Sequence, residues 1–297
     1  MYPVVAIVGP TATGKTEFAF RLARFLKDKA NIDCSFVNAD AFALYKGFDI
    51  ISAKPTSKDI VLAKKNIGQK FEFCQLDVLD LKETASVSVY QKKAREDIDK
   101  IQISGQLPII VGGSALYTNA LLDDIKFPGT DPEIRQKYNN LLNLQGKDYL
   151  YNLLEKKDLA SAKILSSENT RRVIRALEVI ELTGQPFRAS LPKRNYFYQP
   201  TLVYAAKWPK ELLKERIYKR TVNMINNGLI LEIDKAREKA GKTAVKAIGF
   251  AQTCDYLDGK INQNQLIDLI SLATFQLAKK QYKWFLRDKR IKWLEIV

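Results

Sequence analysis

The sequence predicts an α/β fold in which residues 1–120 and 201–297 form a parallel sheet core and residues 121–200 form an inserted all-helical domain. Three observations carry this. Short apolar runs at 4–8 and 107–111 are too short for helices and apolar on both sides, as in strands buried between two helical layers. The first run feeds Gly9-Pro10-Thr11-Ala12-Thr13-Gly14-Lys15-Thr16 and then a helical pattern, the strand, loop and helix order of a phosphate-loop NTPase-like core. From about residue 121 to 200 the strand and helix alternation gives way to helical patterns alone, entered through Phe127-Pro128-Gly129-Thr130-Asp131-Pro132.

In chain order, Gly9 and Gly14 let the loop curl so that successive N–H groups face an anion, with the positive end of the next helix behind them. Lys15 adds a point charge, and the Thr16 hydroxyl suits a Mg2+ shared with phosphate oxygens and water. The loop alone leaves open whether a nucleoside triphosphate or another diphosphate is held. Residues 17–26 read as a helix with Phe18, Leu22 and Phe25 or Leu26 turned to the core. Residues 35–40 read as a second strand ending in Asp40. Ligands of open α/β sheets gather beyond the carboxyl ends of the strands, which places Asp40 near the loop; a turn-capping role also fits. Residues 86–104 form a charged helix closed by Gly105. The strand after it ends in Gly112 and Gly113, where a nucleotide-hydrolysing enzyme of this kind would place a Mg2+-holding aspartate. Two glycines there suit the close approach of a bulky ligand, or a tight turn.

Within the insertion the clearest helix covers about 168–183, with Val173, Leu177 and Ile180 on one face and Gly184 as its stop. Arg171 and Arg175 share one side, relieved either by an anionic partner molecule or by Glu178. Residues 201–206 return as a strand of the first sheet. Residues 210–226 form a helix bearing Arg216 and Arg220 one turn apart, a forked pair suited to phosphate or diphosphate. Helical patterns follow at 232–240 and 266–286, with Lys246 to Gln252 as a loop entering a further helix.

Composition narrows the chemistry. The 297 residues include no histidine, so a general base must be a carboxylate, a lysine or a tyrosine, and His-ligated metals are excluded. The three cysteines are far apart and fit neither a disulfide framework nor a zinc finger. No apolar run is long enough for a membrane span and no leader pattern opens the chain, so a cytoplasmic protein without membrane contact is expected; a monomer is a separate expectation. The formal net charge is +15, and residues 201–297 carry 19 Lys and Arg against 10 Asp and Glu. That surplus serves solubility or a polyanionic partner such as nucleic acid.

The motifs together resemble the tRNA dimethylallyltransferase family. They are the phosphate loop, Ala39-Asp40 before Leu44-Tyr45-Lys46-Gly47-Phe48-Asp49-Ile50, Ala53-Lys54-Pro55-Thr56, and Val111-Gly112-Gly113-Ser114 with Leu116-Tyr117. Further along stand Arg171-Arg172-Val173-Ile174-Arg175-Ala176-Leu177-Glu178-Val179, Ile248-Gly249 with Tyr256-Leu257 and Gly259, and Gln276-Leu277-Ala278-Lys279-Lys280-Gln281 with Trp284. The resemblance implies transfer of a dimethylallyl group from dimethylallyl diphosphate to N6 of an adenine next to the anticodon, position 37, with Mg2+ as cofactor and the tRNA anticodon stem-loop as partner. It implies that residues 9–16 and Arg220 bind the diphosphate and that Asp40, Lys15, Thr16 and Arg220 carry the chemistry. It places Asp40, Ala41, Phe42, Ala43, Ser114, Arg135, Arg171, Arg172, Val173, Ile174, Arg175, Lys246, Ala247, Ile248, Gly249, Phe250 and Ala251 at the RNA. Transfer to free adenine nucleotides, a small-molecule kinase and a non-catalytic RNA-binding relative are the alternatives. Phe250 and Ala251 stand where the family usually has Tyr followed by Arg or Lys, and Ala85-Ser86-Val87-Ser88-Val89-Tyr90 replaces its usual Tyr-Ser-x-x-Asp-Phe. The family's His-Pro before the arginine-rich helix is replaced around Leu165 and Ser166, and its paired histidines after the Lys-Pro loop are absent.

Overall fold

The computed structural model describes residues 2–67, 71–187 and 195–295, and the chain divides into two compact units, 1–122 with 196–297, and 123–195. In the first unit β1 (Val4–Val8) leads through the phosphate loop into α1 (Lys15–Ala30), followed by β2 (Cys34–Asn38), α2 (Ser57–Ile67), β3 (Phe73–Cys74), α3 (Val87–Ile103), β4 (Leu107–Gly112) and α4 (Ala115–Leu122). The second unit holds α5 (Pro132–Lys157), α6 (Leu159–Ala162) and α7 (Thr170–Thr183). The chain then re-enters the first unit with β5 (Thr201–Lys207), α8 (Lys210–Asn226), α9 (Leu229–Ala236), a 3-10 turn (Ala244–Lys246), α10 (Phe250–Leu257), α11 (Gln263–Phe285) and β6 (Ile291–Glu295).

The six strands form one parallel sheet in the order β3-β2-β4-β1-β5-β6. Every residue of β1, β2 and β4 is buried, as strands covered by helices on both faces must be. β1 lies between β4 and β5, with Val8 paired to Gly112 on one side and Ala205 on the other. The loop leaving β1 thus emerges where three carboxyl-terminal strand ends converge.

The core face of α1 differs from the expectation. Phe18 is 39% and Phe25 57% exposed, whereas Ala19 and Ala23 are fully buried, with Phe20, Leu22 and Leu26 beside them. A helix lying on a sheet approaches most closely where its side chains are small, so the alanines set the contact line and the rings of Phe18 and Phe25 turn outward. Phe20 meets Phe36 edge to face at 5.1 Å. α9 also begins earlier than its pattern suggests, directly after Gly228 (φ 101°).

In the second unit, α5 carries a break at Gly146 (φ 81°), and Tyr138, Leu150, Leu154, Leu165, Val173 and Leu177 form the core with α7. Asn169 caps α7 through the Arg172 amide, and Gly184 (φ 64°) ends it in the left-handed conformation.

Candidate active site

The loop from Gly9 to Thr16 opens onto a cavity of about 450 Å3 bounded by Asp40, the 52–55 segment, Gly112, Gly113, Arg216, Arg220 and Gln281. Gly9 (φ 127°) and Gly14 (φ 79°) occupy conformations closed to side chains, which curls the loop around its own centre. The Lys15 amine folds back onto the Pro10 carbonyl at 2.6 Å. Burial pushes the Lys15 amine down to about 8, against the pull of Asp40 and with help from Arg220. Arg220 donates to the Thr11 hydroxyl at 3.0 Å, and its buried Nε has no partner among the described residues. A buried guanidinium with an unspent donor beside a lysine and a ring of amides is complementary to a diphosphate. The Thr16 hydroxyl lines the same cavity and forms no hydrogen bond within the described residues.

Asp40 reaches this cavity because two backbones pack without room for a side chain. A Cβ on Gly112 would lie 2.3 Å from the Ala39 carbonyl carbon and oxygen. The close approach made possible by Gly112 is therefore that of the chain's own β2 end, and not that of a bulky ligand. The Ala39 amide donates to Val111 O at 2.8 Å, and the Asn38 side chain bonds both the amide and the carbonyl of Asp40. Oδ1 of Asp40 accepts from the Phe42 amide at 3.0 Å, while Oδ2 makes no hydrogen bond among the described residues. The carboxylate is both a turn cap and a group with one oxygen aimed at the cavity. Ser114 supports the same turn by accepting from the Ala41 amide at 3.1 Å.

Two side chains, the half-buried Glu232 and the buried Lys54, fix the 48–55 loop that forms the opposite wall. Glu232 accepts from the Asp49, Ile50 and Ile51 amides at 2.8, 2.7 and 2.8 Å. Lys54 is buried against Asp49 at 2.7 Å and also bonds Asp77 and the Tyr45 carbonyl.

A sequence profile described as IPP transferase matches residues 43–289. A tRNA dimethylallyltransferase of Bifidobacterium adolescentis is 41% identical over 292 residues, covering 98% of this chain and 84% of that one. The chain belongs to the IPP transferase family. A second relative of this family, the tRNA dimethylallyltransferase of Kineococcus radiotolerans, is 40% identical over 98% of this chain and 90% of its own. The crystal structure of the full-length tRNA isopentenylpyrophosphate transferase of Bacillus halodurans superimposes with a TM-score of 0.67 at 30% identity, over 99% of this chain and 90% of that one. The fold is shared with a eukaryotic dimethylallyltransferase acting on tRNA, at a TM-score of 0.81 and 24% identity over 99% of this chain and 74% of that one.

Against this family background the residues expected at RNA divide sharply. Arg171 and Arg172 are exposed and form no ion pair among the described residues, but Val173 and Ile174 point into the helical core. Arg175 spends its donors on Glu178 at 2.9 Å and on the Gly129 and Pro128 carbonyls, while Arg135 grips the same Glu178 at 2.8 Å. Burial would raise the Glu178 carboxyl, yet the bonds from Thr130, Arg135, Arg175 and the Asp131 amide hold it down to about 2. Glu178 thus neutralises Arg175 of the Arg171 and Arg175 pair together with Arg135, while Arg171 has no ion pair among the described residues. Around α10, Lys246 and Ala251 are exposed, Ile248 is half-buried, and Ala247, Gly249 and Phe250 are buried. Ala41 and Phe42 are half-buried, and Ala43 is buried at the cavity wall.

Sequence reasoning named Gln281 only as the end of a motif, without a role, and missed Glu232 and the packing role of Arg216. Arg216 stacks on Trp208, 4.4 Å from guanidinium carbon to ring centre, and donates to the Ala12 carbonyl at 3.1 Å. Their signals, a glutamine at the buried end of a basic helix and a glutamate in an apolar stretch, are visible only as polar residues on buried faces.

Proposed function

We propose that this chain transfers the dimethylallyl group of dimethylallyl diphosphate to N6 of the adenine next to the anticodon, position 37, of tRNA. The observation that carries the reading is the union, in one cavity, of a phosphate loop with a strand-end carboxylate and with no aspartate at the end of β4. The amine nitrogen attacks the allylic carbon, the carbon–oxygen bond breaks, and its electron pair leaves with the diphosphate. Asp40, with Oδ2 uncommitted, takes the proton that the N6 nitrogen sheds. Lys15, Arg220 and the loop amides hold the diphosphate and stabilise the charge that grows on its bridging oxygen.

Mg2+ fits this site through the Thr16 hydroxyl, which lines the cavity at the start of α1 and would hold the ion together with phosphate oxygens and water. When bound it would supply further positive charge to the leaving diphosphate. The adenine must be unstacked to reach Asp40, since its amine edge is shielded within a stacked loop. Arg171, Arg172, Lys246 and the lysines of α11 are among the exposed charges available to the anticodon stem-loop. Incubation with labelled dimethylallyl diphosphate, Mg2+ and unmodified tRNA should place the label on adenosine 37. Label appearing on free adenine nucleotides and not on tRNA would overturn the assignment, as would phosphoryl transfer from ATP.

A further inference from the structure

Helix α11 crosses beneath the phosphate loop and presents one polar side chain there, Gln281, which is 8% exposed. Its Oε1 accepts from the Thr11 amide at 2.8 Å, and its Nε2 donates to the Gly113 carbonyl at 2.7 Å. The orientation of the amide is dictated by its partners, because a backbone N–H can only donate and a carbonyl can only accept. One side chain therefore joins the loop after β1 to the turn after β4. The junction is tight: a Cβ on Gly113 would lie 2.9 Å from Gly9 O, 3.1 Å from Gln281 Nε2 and 3.3 Å from Lys15 Nζ.

We infer that Gln281 is a positioning residue for the diphosphate, acting through Thr11. With its amide fixed by Gln281, Thr11 turns its hydroxyl to Arg220 at 3.0 Å and so holds that guanidinium at the mouth of the loop. Loss of Gln281 leaves the half-buried Thr11 N–H and the buried Gly113 carbonyl without the partner that ties them together, which frees the loop to shift. Glutamate is a graded probe. Its neutral form reproduces both bonds, accepting from Thr11 and donating to Gly113, while its ionised form faces the Gly113 carbonyl with lone pairs and the incoming diphosphate with like charge.

The inference rests on the proposed reaction only in taking diphosphate as the anion, so its test uses binding. Calorimetry with inorganic diphosphate and Mg2+ on the full chain should show a Kd about tenfold weaker for Gln281→Met and weaker still for Gln281→Glu at neutral pH. The ratio of Gln281→Glu to wild type should shrink toward one as the pH is lowered to about 5, where the buried carboxyl takes up its proton. Turnover assays should show the loss in KM for the donor more than in kcat. Variants that melt earlier but bind diphosphate like wild type below the transition would reduce Gln281 to a structural tie and overturn the inference, as would a pH-independent Gln281→Glu defect. A wild-type chain that binds no diphosphate would overturn both this inference and the proposed function. Wild-type binding with unaffected variants overturns the inference alone.

Discussion

At the scale of single residues, the site separates a group that works by charge from one that works by accepting a proton. Asp40→Asn keeps the shape of the turn and the bond from the Phe42 amide, but removes the basic oxygen. It should lower kcat by at least about 100-fold, the low end for general base catalysis, with diphosphate affinity little changed. Steady-state kinetics beside calorimetry would separate these, and loss of diphosphate binding in place of chemistry would reassign Asp40 to anchoring. Lys15 gives a pH signature of definite sign. Its proton leaves the free protein near pH 8, below the ordinary lysine value of 10.5, because burial penalises the charge. Bound diphosphate favours the protonated amine, so affinity should be level below pH 8. Above it the Kd should rise, by up to about tenfold per unit, until the pKa of the complex is passed. A flat Kd from pH 7 to 10 would show that the Lys15 charge does not contribute to the site.

At the scale of elements, the decisive contacts are those between the ends of β2 and β4. Gly112→Ala would drive a methyl carbon to 2.3 Å from the Ala39 backbone, which must yield because β2 is held on both sides. A loss of about 1–3 kcal/mol or more is expected, together with a fall in kcat as Asp40 moves, and urea unfolding with parallel kinetics would check it. Within the helical unit, the buried Glu178 carboxylate offers a matching test. Its folded value near 2 lies below the unfolded value near 4.5, so its stabilising contribution is full above pH 4.5 and is lost as the pH falls toward 2. The urea midpoint of Glu178→Gln should therefore lie below that of wild type at pH 7, and the gap should narrow with acid; a constant gap would contradict the charge-based account. These elements also show what the sequence discloses. The strands β1, β2, β4 and β5 follow from their short apolar runs and the end of α7 from Gly184, all local signals, whereas the edge strands β3 and β6 are not legible in the sequence pattern. The core face of α1 is legible only in part: Leu22 and Leu26 pack on the core as the pattern indicates, but Ala19 and Ala23 form the buried line and Phe18 and Phe25 are exposed. The loop residues and Asp40 are legible as motif and strand end, whereas Gln281 and Glu232 act across 168 residues of chain or more and acquire meaning only when the sheet brings their partners together.

At the scale of the whole molecule, a net charge of +15 and the surplus in the last third of the chain fit a polyanionic partner. Charge count alone exaggerates the contact surface. Arg135 and Arg175 are consumed by Glu178, and Lys54 by Asp49 and Asp77, so these cations belong to the fold. Arg171, Arg172 and Lys246, by contrast, are exposed without an ion pair among the described residues. The two groups should respond differently to mutation. Arg171→Ala should leave the urea midpoint in place and weaken every tRNA to a similar degree, since a backbone contact carries no base information. Arg175→Ala should lower the midpoint, because it strips a buried carboxylate of one of its cations. Binding of unmodified tRNA by wild type should fall steeply with salt, with a log-log slope near −0.7 for each single-strand phosphate neutralised, and Arg171→Ala should make that slope shallower by about one such increment. Titrations at several salt concentrations decide the matter. If Arg171→Ala leaves both affinity and slope at the wild-type values, α7 is not part of the RNA surface, and the exposed charge of Lys246 and α11 must carry the interaction instead.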